Sequence, residues 1–307
     1  MTALDWIAAD WGTSRLRLWA VGTGREVLAQ AQSPAGMGAL APAEFEPALL
    51  SLAGGWLPAS GAVPVVACGM VGARQGWIDA GYRAVPCPPF APPLARAPTS
   101  DPRLSVWIVP GLSQLKPSAD VMRGEETQIA GVLTARPGWD GVVCLPGTHS
   151  KWAEVSAGEV VSFRSFMTGE LFALLSAQSV LRHGIAAQDA DPGADFDAAV
   201  AETLSRPQAL AARLFSLRAE ALLEGLDPAT ARERLSGWLI GAELAAARPW
   251  WLGREVVIVG DALAGGYARA LAAQGVQAAR MRSDSVTLAG LAMARALQRK
   301  DSAGAET

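Results

Sequence analysis

The chain has 307 residues, of which 50% are hydrophobic, so it can bury a substantial core and fits two modest domains better than one. Its formal net charge is -3 at pH 7, and its 26 Lys and Arg residues form no basic stripe, which argues against a nucleic-acid partner. No apolar run approaches a membrane span, and no basic region followed by an apolar segment opens the chain, so we expect a cytoplasmic protein without membrane contact.

Cysteine and histidine usage excludes further classes of site. Cys68, Cys87 and Cys144 have no metal-like spacing, and two of them follow or end strand-like runs, so we expect reduced core thiols. The chain has only two histidines, which excludes a His-rich metal centre.

The first motif is a predicted hairpin at residues 10–19 (DWGTSRLRLW), directly after an apolar run. Gly12 permits a tight bend, and Thr13 and Ser14 offer hydroxyl and backbone N–H groups at its tip. Asp10 places a carboxylate at the end of the first predicted strand.

A second hairpin of the same kind begins after the apolar run at residues 142–145. Residues 147–150 fall on residues 12–15 when the two copies are overlaid, which gives one hairpin per half of the chain. Two facing Gly-Thr bends would clamp a polyphosphate through N–H and hydroxyl groups, and Asp10 would hold magnesium directly or through water. Gly-Thr is also ordinary hairpin-turn chemistry. The arrangement resembles the actin, Hsp70 and sugar-kinase superfamily, in which two such loops hold ATP.

A loop with three glycines, residues 69–77 (GMVGARQGW), follows the predicted buried strand at residues 63–68. Loops at the end of such strands are where ligands bind in open α/β sheets. Arg74 would pair with the carboxylate of a sugar acid, although an exposed arginine on a turn is equally compatible with the pattern. The candidate substrate contacts in this loop are Gly69, Met70, Arg74 and Gln75.

A proline-rich stretch, residues 84–102, predicts an irregular segment, and residues 124–133 predict a helix. Glu125 and Glu126 fall in the first turn of that helix, where the helix dipole favours carboxylates whether or not they do chemistry.

The last third predicts a mostly helical region up to about residue 248, most of whose charges we expect to be solvated, and then a strand at residues 255–259. Gly260 and Asp261 end this strand, and Gly265 and Gly266 open the next helix. These small residues suit an adenosine pocket, although helix packing on a sheet requires small residues too.

Five stretches, in order and across almost the whole chain, together resemble the 2-dehydro-3-deoxygalactonokinase family: residues 10–13 (DWGT), 69–77, 123–128 (RGEETQ), 145–152 (LPGTHSKW) and 166–170 (FMTGE). The resemblance implies the α/β actin-like ATPase (ribonuclease H-like) fold, with two related α/β domains flanking an ATP cleft. We expect the domains to be residues 1–117 and 118–283. The second would carry a helical insertion at about 165–248, and a C-terminal helix at 284–299 would pack back on the first.

The same resemblance implies transfer of the terminal phosphoryl group of ATP, with Mg2+, to the 6-hydroxyl of 2-dehydro-3-deoxy-D-galactonate in galactonate breakdown. Asp10 would bind the metal or orient water, and Lys151 or Arg15 would neutralise developing charge. The expected nucleotide contacts are Gly12, Thr13, Ser14, Arg15, Gly147, Thr148, His149, Ser150, Gly260, Asp261, Gly265 and Gly266.

Related sugar kinases keep their general base at the start of a helix before the second phosphate loop, which here indicates Glu125 or Glu126. Asp120 is a further candidate. Many relatives in the superfamily use an aspartate at the helix start, where this chain has glutamates. Arg74 or Arg123 would hold the substrate carboxylate. The sequence leaves open a different sugar or sugar acid, a nucleotide-binding sensor or ATPase, the epimer preference, the degree of domain closure, and the oligomeric state, a homodimer included.

Overall fold

The structure is a computed structural model that describes residues 3–188 and 192–304. Its strands and helices are, in chain order, β1 (Leu4–Trp11), β2 (Leu16–Gly22), β3 (Val27–Ser33), α1 (Phe45–Ala53), β4 (Val63–Gly69), β5 (Tyr82–Ala84), β6 (Ala95–Ala97), β7 (Leu104–Ile108), β8 (Gly111–Gln114), β9 (Asp120–Met122), α2 (Glu125–Ala135), β10 (Gly141–Leu145), β11 (Ser150–Ser156), β12 (Glu159–Phe166), α3 (Thr168–Ala177), α4 (Ala194–Ser205), α5 (Leu210–Leu223), α6 (Pro228–Ala246), α7 (Arg248–Trp251), β13 (Val256–Val259), α8 (Ala264–Ala272), β14 (Ala279–Met281) and α9 (Ser283–Gly304).

The first sheet has six strands in the order β3-β2-β1-β4-β7-β6. β1, β2 and β3 are antiparallel neighbours, whereas β1, β4 and β7 run parallel. Ile7 and Ala9 of β1 pack in the cluster that includes α1, and Trp6 and Ala8 pack in the cluster that includes α9. Because β1 is covered on both faces, its sequence reads as a continuous apolar run.

The second large sheet has five strands in the order β12-β11-β10-β13-β14. β10 and β11 are antiparallel, and β10, β13 and β14 run parallel. When the strands of each sheet are counted along the chain, the second sheet has the order 3-2-1-4-5 and the first has the order 3-2-1-4-6-5. Both sheets therefore share the order 3-2-1-4, with an antiparallel hairpin next to a parallel strand. This repeated topology confirms the predicted actin-like ATPase (ribonuclease H-like) fold.

The chain divides into two compact units. The first contains Met1–Trp139, Ser156–Ser162 and Ser283–Thr307, and the second contains Asp140–Val155 and Phe163–Arg282. Residues 118–139 therefore belong to the first unit, whereas the sequence analysis assigned them to the second domain. The physical reason is that Ala130 of α2 joins the apolar cluster on the first sheet, together with Leu291 and Ala294 of α9.

Helices α2 and α9 of the first unit are in direct backbone contact. A Cβ atom on Gly131 would lie 1.9 Å from the carbonyl oxygen of Val286, and one on Gly290 would lie 2.0 Å from that of Thr127. Since only glycine fits at both positions, the start of α2 is held at a fixed place against α9.

The predicted helical insertion corresponds to α3–α6, which lie in the second unit. The predicted irregular segment at 84–102 is not wholly irregular, because β6 pairs antiparallel with β7. Within the residues that the structure describes, no helix is both long and apolar enough to cross a membrane.

Candidate functional site

Asp10 lies at the carboxyl end of β1 and shares a guanidinium with a distant carboxylate. The hairpin register places Asp10 opposite Arg17, whose Nη2 donates to Asp10 Oδ2 and whose Nη1 donates to Asp284 Oδ1. Burial acts to lower the pKa of Arg17, but the attraction of Asp10 and Asp284 outweighs it and leaves that pKa raised. Arg17 was missed as a functional candidate, although a four-residue bend at 12–15 already implies that it faces Asp10.

Backbone hydrogen bonds fix one side of the bend after β1, and its other side is exposed to solvent. Gly12 N donates to Arg15 O at 2.9 Å, and the carbonyls of Gly12 and Thr13 accept from Met37 N and Gly38 N at 3.0 and 2.9 Å. Thr13, Ser14 and Arg15 are exposed. The bend therefore presents its tip to solvent on a fixed backbone, which is what a phosphate loop requires.

Gly69, at the end of β4, lets three elements of the first unit converge. It has φ +88°, and a Cβ there would lie 2.7 Å from Trp11 O and 3.6 Å from Asp10 Oδ1. A Cβ on Gly124 would in turn lie 3.4 Å from Gly69 Cα. The structure thus brings Asp10 close to the start of α2.

The two glutamates at the start of α2 have different environments. Glu126 is fully buried, and its carboxylate accepts from Gly124 N at 2.7 Å and from Thr127 Oγ1 at 3.0 Å. Burial, and then the charge of Glu125, raise the pKa of Glu126 to about 8. Glu125 is partly exposed and accepts from Arg123 N at 3.0 Å. Only Glu125 is accessible to another molecule in this conformation.

The raised pKa of Glu126 predicts a specific pH dependence of stability. The folded state keeps the Glu126 proton between the ordinary pKa of 4.5 and about 8, so the free energy of unfolding falls as pH rises through that interval. Glu126→Gln is neutral at every pH, so its free energy of unfolding should not show this fall. As pH rises from 6 to 9, its free energy of unfolding should therefore increase relative to that of the wild type, by roughly 1.4 kcal/mol for each pH unit below the folded pKa. Urea denaturation at pH 6 and at pH 9 measures this difference in the free energy of unfolding, with the exposed Glu224→Gln as control. An equal fall in the free energy of unfolding in the wild type and in Glu126→Gln would contradict the prediction.

The candidate substrate arginines also differ in environment. The Arg74 side chain is 87% exposed, and its nearest carboxylate contact is to Asp79 at 3.8 Å. Arg123 is buried against the ring of Tyr82, 4.3 Å from its centroid, and its Nη2 donates to Gly81 O. Its Nε and Nη1 atoms have no hydrogen-bond partner among the described residues. Met70 is partly exposed and Gln75 is exposed.

Asp120 is positioned differently from the glutamates. It opens β9 of the small three-stranded sheet β5-β8-β9, opposite Gln114, and its Oδ1 accepts from Val121 N. Asp120 thus lies on another sheet from Asp10, whereas the first turn of α2 is next to Gly69 at the end of β4.

The second bend, in the second unit, is supported by the start of α3. Thr148 O accepts from Glu170 N at 2.9 Å, and a Cβ on Gly169 would lie 2.2 Å from Gly147 O. His149 Nε2 lies 2.5 Å from Glu170 Oε2. Thr148 and His149 are exposed, so this bend also offers its tip to a ligand. The supporting role of Gly169 and Glu170 was missed, although both lie within the FMTGE stretch.

The structure gives Ser150 a different role from the predicted one, whereas Lys151 Nζ donates to the carbonyl of His149 in the bend at 3.3 Å. Both are buried, and Ser150 Oγ donates to Glu243 Oε2 at 2.8 Å. Glu243 also accepts from Tyr267 OH at 2.7 Å and from Trp152 Nε1 at 2.8 Å. Ser150 begins β11, so its side chain packs under the bend and its hydroxyl does not reach the tip. Glu243 and Tyr267 were missed because no sequence signal links α6 and α8 to the bend.

The Glu243 network predicts a large effect on stability. Glu243→Leu removes the acceptor of three buried donors, of which the Ser150 and Tyr267 hydroxyls, 3.2 Å apart, can still bond to each other. Two donors are left unpaired, so the free energy of unfolding should fall by roughly 2–6 kcal/mol, since each unsatisfied group costs about 1–3 kcal/mol. Glu243→Gln should cost less, because its amide oxygen can accept from Trp152 while its amide nitrogen donates to a hydroxyl. Urea denaturation measures both. Wild-type stability of the leucine variant would contradict the expectation.

A cavity of about 490 Å³ opens beside the second bend, within the size range of small-molecule sites. Its lining includes Gly147, Thr148, Thr168, Gly169, Phe172, Phe196, Arg232, Ala262, Leu263, Gly266 and Tyr267. Of the four residues predicted to form an adenosine pocket, Gly266 lines this cavity, whereas Gly260, Asp261 and Gly265 are not part of its lining. The guanidinium of Arg232 lies 4.7 Å from the centroid of the Phe172 ring.

Comparison with known proteins identifies relatives along nearly the whole chain. Residues 10–294 match the family described as 2-keto-3-deoxy-galactonokinase. The chain is 40% identical, over 307 residues, to a Rhizobium meliloti (strain 1021) protein assigned as a 2-dehydro-3-deoxygalactonokinase, covering 95% of this chain and 97% of that one. It is 34% identical, over 294 residues and with the same coverage, to the 2-dehydro-3-deoxygalactonokinase of Escherichia coli (strain K12). A crystal structure of a Sinorhizobium meliloti protein with the same assignment has a TM-score of 0.85 and 39% identity, covering 95% of this chain and 99% of that one.

Proposed function

This chain belongs to the 2-keto-3-deoxy-galactonokinase family, and on that premise we propose that it transfers the terminal phosphoryl group of ATP to the 6-hydroxyl of 2-dehydro-3-deoxy-D-galactonate. The observation that carries the proposal is the match to this family over residues 10–294. Phosphoryl transfer depends on positioning and charge stabilisation more than on covalent chemistry. The roles of individual side chains therefore follow from what each can bind, orient or deprotonate.

In this proposal the two bends bind phosphate oxygens. Thr13 and Ser14 in the first unit, and Thr148 in the second, are exposed at bends whose backbones are tied to neighbouring segments. His149 adds a donor to the second bend. Ser150 is assigned to support the bend through Glu243, and it is removed from the set of phosphate ligands. The cavity beside the second bend suits the nucleoside, since an aromatic ring and small residues line it.

Asp10 is the residue that would hold Mg2+. Among the described residues no group of three or more His, Cys, Asp or Glu side chains is placed to bind a metal, so a metal held by protein ligands alone does not fit. Mg2+ fits this donor set, because it is usually bound by one or two carboxylates together with phosphate oxygens and water. When bound with ATP, it neutralises charge on the phosphates.

Glu125 is the general base in this proposal. It would accept the proton of the 6-hydroxyl as that oxygen bonds to the terminal phosphorus and the bond to ADP breaks. Its partial exposure supports this choice over the fully buried Glu126, whose oxygens accept from Gly124 N and Thr127 Oγ1. Glu126 instead fixes the first turn of α2, on which Glu125 lies.

Arg123 is the group that would bind the substrate carboxylate, because two of its buried nitrogens lack a partner among the described residues. Arg123→Gln should raise KM for the sugar acid at least tenfold, since a charge-assisted hydrogen bond contributes about 1.5–3 kcal/mol, and should leave KM for ATP within about twofold. Arg74→Gln, at an exposed site, should change neither the KM for the sugar acid nor the KM for ATP. Initial rates measure these constants, and thermal unfolding checks that Arg123→Gln is folded. A larger KM effect in Arg74→Gln would transfer the role to Arg74.

The reaction itself is tested by ADP release coupled to an optical readout. The acceptors are 2-keto-3-deoxygalactonate, 2-keto-3-deoxygluconate, galactonate, glucose, galactose and glycerol, with a control that lacks acceptor. Turnover confined to the first compound, or shared only with its gluconate epimer, is expected. Turnover without acceptor would instead indicate an ATPase, and binding of ATP without turnover would indicate a sensor.

The three cysteines are free thiols, which supports a reducing compartment, the cytoplasm, as the location.

A further inference from the structure

Two carboxylates of the first unit share the guanidinium of Arg17. Arg17 of β2 donates to Asp10 at the end of β1 and to Asp284 in the first turn of α9. The side chains of Arg17 and Asp10 are 28% and 16% exposed, so their contact is partly shielded from water, whereas that of Asp284 is 47% exposed. The function proposed above uses Asp10 but gives no role to Asp284.

The contact with Arg17 opposes the use of Asp10 as a cation ligand. A carboxylate paired with a guanidinium must release or share it before it binds another cation. If Arg17 had only Asp10 as a partner, that release would leave a partly buried positive charge unpaired, which is unfavourable. Asp284 changes this balance, because Arg17 keeps one charge-assisted hydrogen bond through Nη1 when Nη2 loses Asp10.

Asp284 is also held at a defined place. It lies next to Ser283, whose Oγ accepts from Gln128 Nε2 of α2 at 2.9 Å. The glycine contacts at Gly131 and Gly290 fix α9 against α2. A carboxylate on such a rigid helix start can retain Arg17 in one position while Asp10 changes partner.

We propose that Asp284 is a positioning residue, which retains Arg17 and so makes Asp10 available to a divalent cation. The inference rests on the proposed function, because it assumes that Asp10 is the metal ligand. It assigns a contribution to the site from the C-terminal helix, which none of the motifs found in the sequence includes.

The kinetic test is Asp284→Asn, which keeps the shape of the side chain and removes its charge. The Mg2+ concentration for half-maximal rate should rise roughly three- to tenfold, while kcat at saturating Mg2+ stays within about twofold of the wild type. Asp5→Asn is the matched control, because Asp5 also lies on β1 and also pairs with an arginine, Arg299, at 3.1 Å. It should leave the Mg2+ dependence unchanged.

The second readout needs no turnover. Binding of Mn2+ in the presence of ADP, followed by the EPR signal of free Mn2+, should weaken in Asp284→Asn by the same factor. In an Arg17→Met background the Asp284→Asn change should have no effect on Mn2+ binding, since the competing guanidinium is gone.

The outcomes separate this inference from the proposed function. Mn2+ binding that is lost in Asp10→Asn but unchanged in Asp284→Asn would overturn the role of Asp284 alone. Mn2+ binding that does not depend on Asp10 would overturn the metal role of Asp10 and this inference with it. A fall in stability of Asp284→Asn without a shift in Mg2+ or Mn2+ dependence would assign Asp284 a purely structural role and also overturn the proposal.

Discussion

Replacing Asp10 with asparagine is expected to lower kcat roughly 10³-fold while the protein remains folded. The loss follows because a carboxylate at this point would hold Mg2+ and orient the phosphates, which contributes several kcal/mol to stabilisation of the transition state. The fold should persist, since the amide oxygen still accepts from Arg17 and β1 keeps its pairing with β2 and β4. Steady-state ADP release and thermal unfolding measure the two quantities.

The control for this experiment is Asp5→Asn, a charge removal at the other end of the same strand. It should lower kcat less than twofold. If Asp10→Asn turned over at near the wild-type rate, the assignment of Asp10 as the metal carboxylate would be wrong. If both variants unfolded below room temperature, the loss would report on β1 and not on the reaction.

Glu125→Gln is expected to have the second largest effect, a loss of about 10²- to 10⁴-fold in kcat, which is the usual contribution of a positioned general base. The glutamine keeps the hydrogen bond from Arg123 N through its amide oxygen, so the helix start should be preserved. The matched comparison is Glu126→Gln, one residue further along α2. Because Glu126 is buried and is protonated below pH of about 8, its neutral substitute should retain most of the activity at pH 7.

The order of the two effects decides between the two glutamates. A larger loss in Glu126→Gln than in Glu125→Gln would make the buried carboxyl the base, which would require α2 to open before reaction. KM for the sugar acid should change little in either variant, because the base acts mainly in the transition state.

The sequence predicted the parts of the site that depend on local chemistry. Both hairpins agree with the structure because each is specified by an apolar strand followed by a glycine bend, and the strand ends place Asp10 and Gly69 at the same edge of the first sheet. The start of α2 followed from its acidic first turn. These features involve neighbours in the chain, and the fold class followed from their repetition and from the family resemblance.

The parts that sequence reasoning missed depend on partners far along the chain. Glu243 was expected to be solvated like most charges of the helical region, yet it is buried by Ser150 and Tyr267, which are 93 and 24 residues away. Asp284 meets Arg17 across 267 residues. A buried carboxylate and an exposed one on an amphipathic helix have the same local pattern, so only tertiary packing distinguishes them.

The packing of α9 on the first sheet affects the order in which the two units can fold during synthesis. The apolar face of the first sheet that carries Trp6 and Ala8 is covered in part by Leu291 and Ala294, which lie near the C-terminus. The first unit therefore stays incomplete on the ribosome until the last helix emerges, whereas most of the second unit, residues 163–282, has left the tunnel earlier. The first unit therefore starts to form before the second unit and is completed after it.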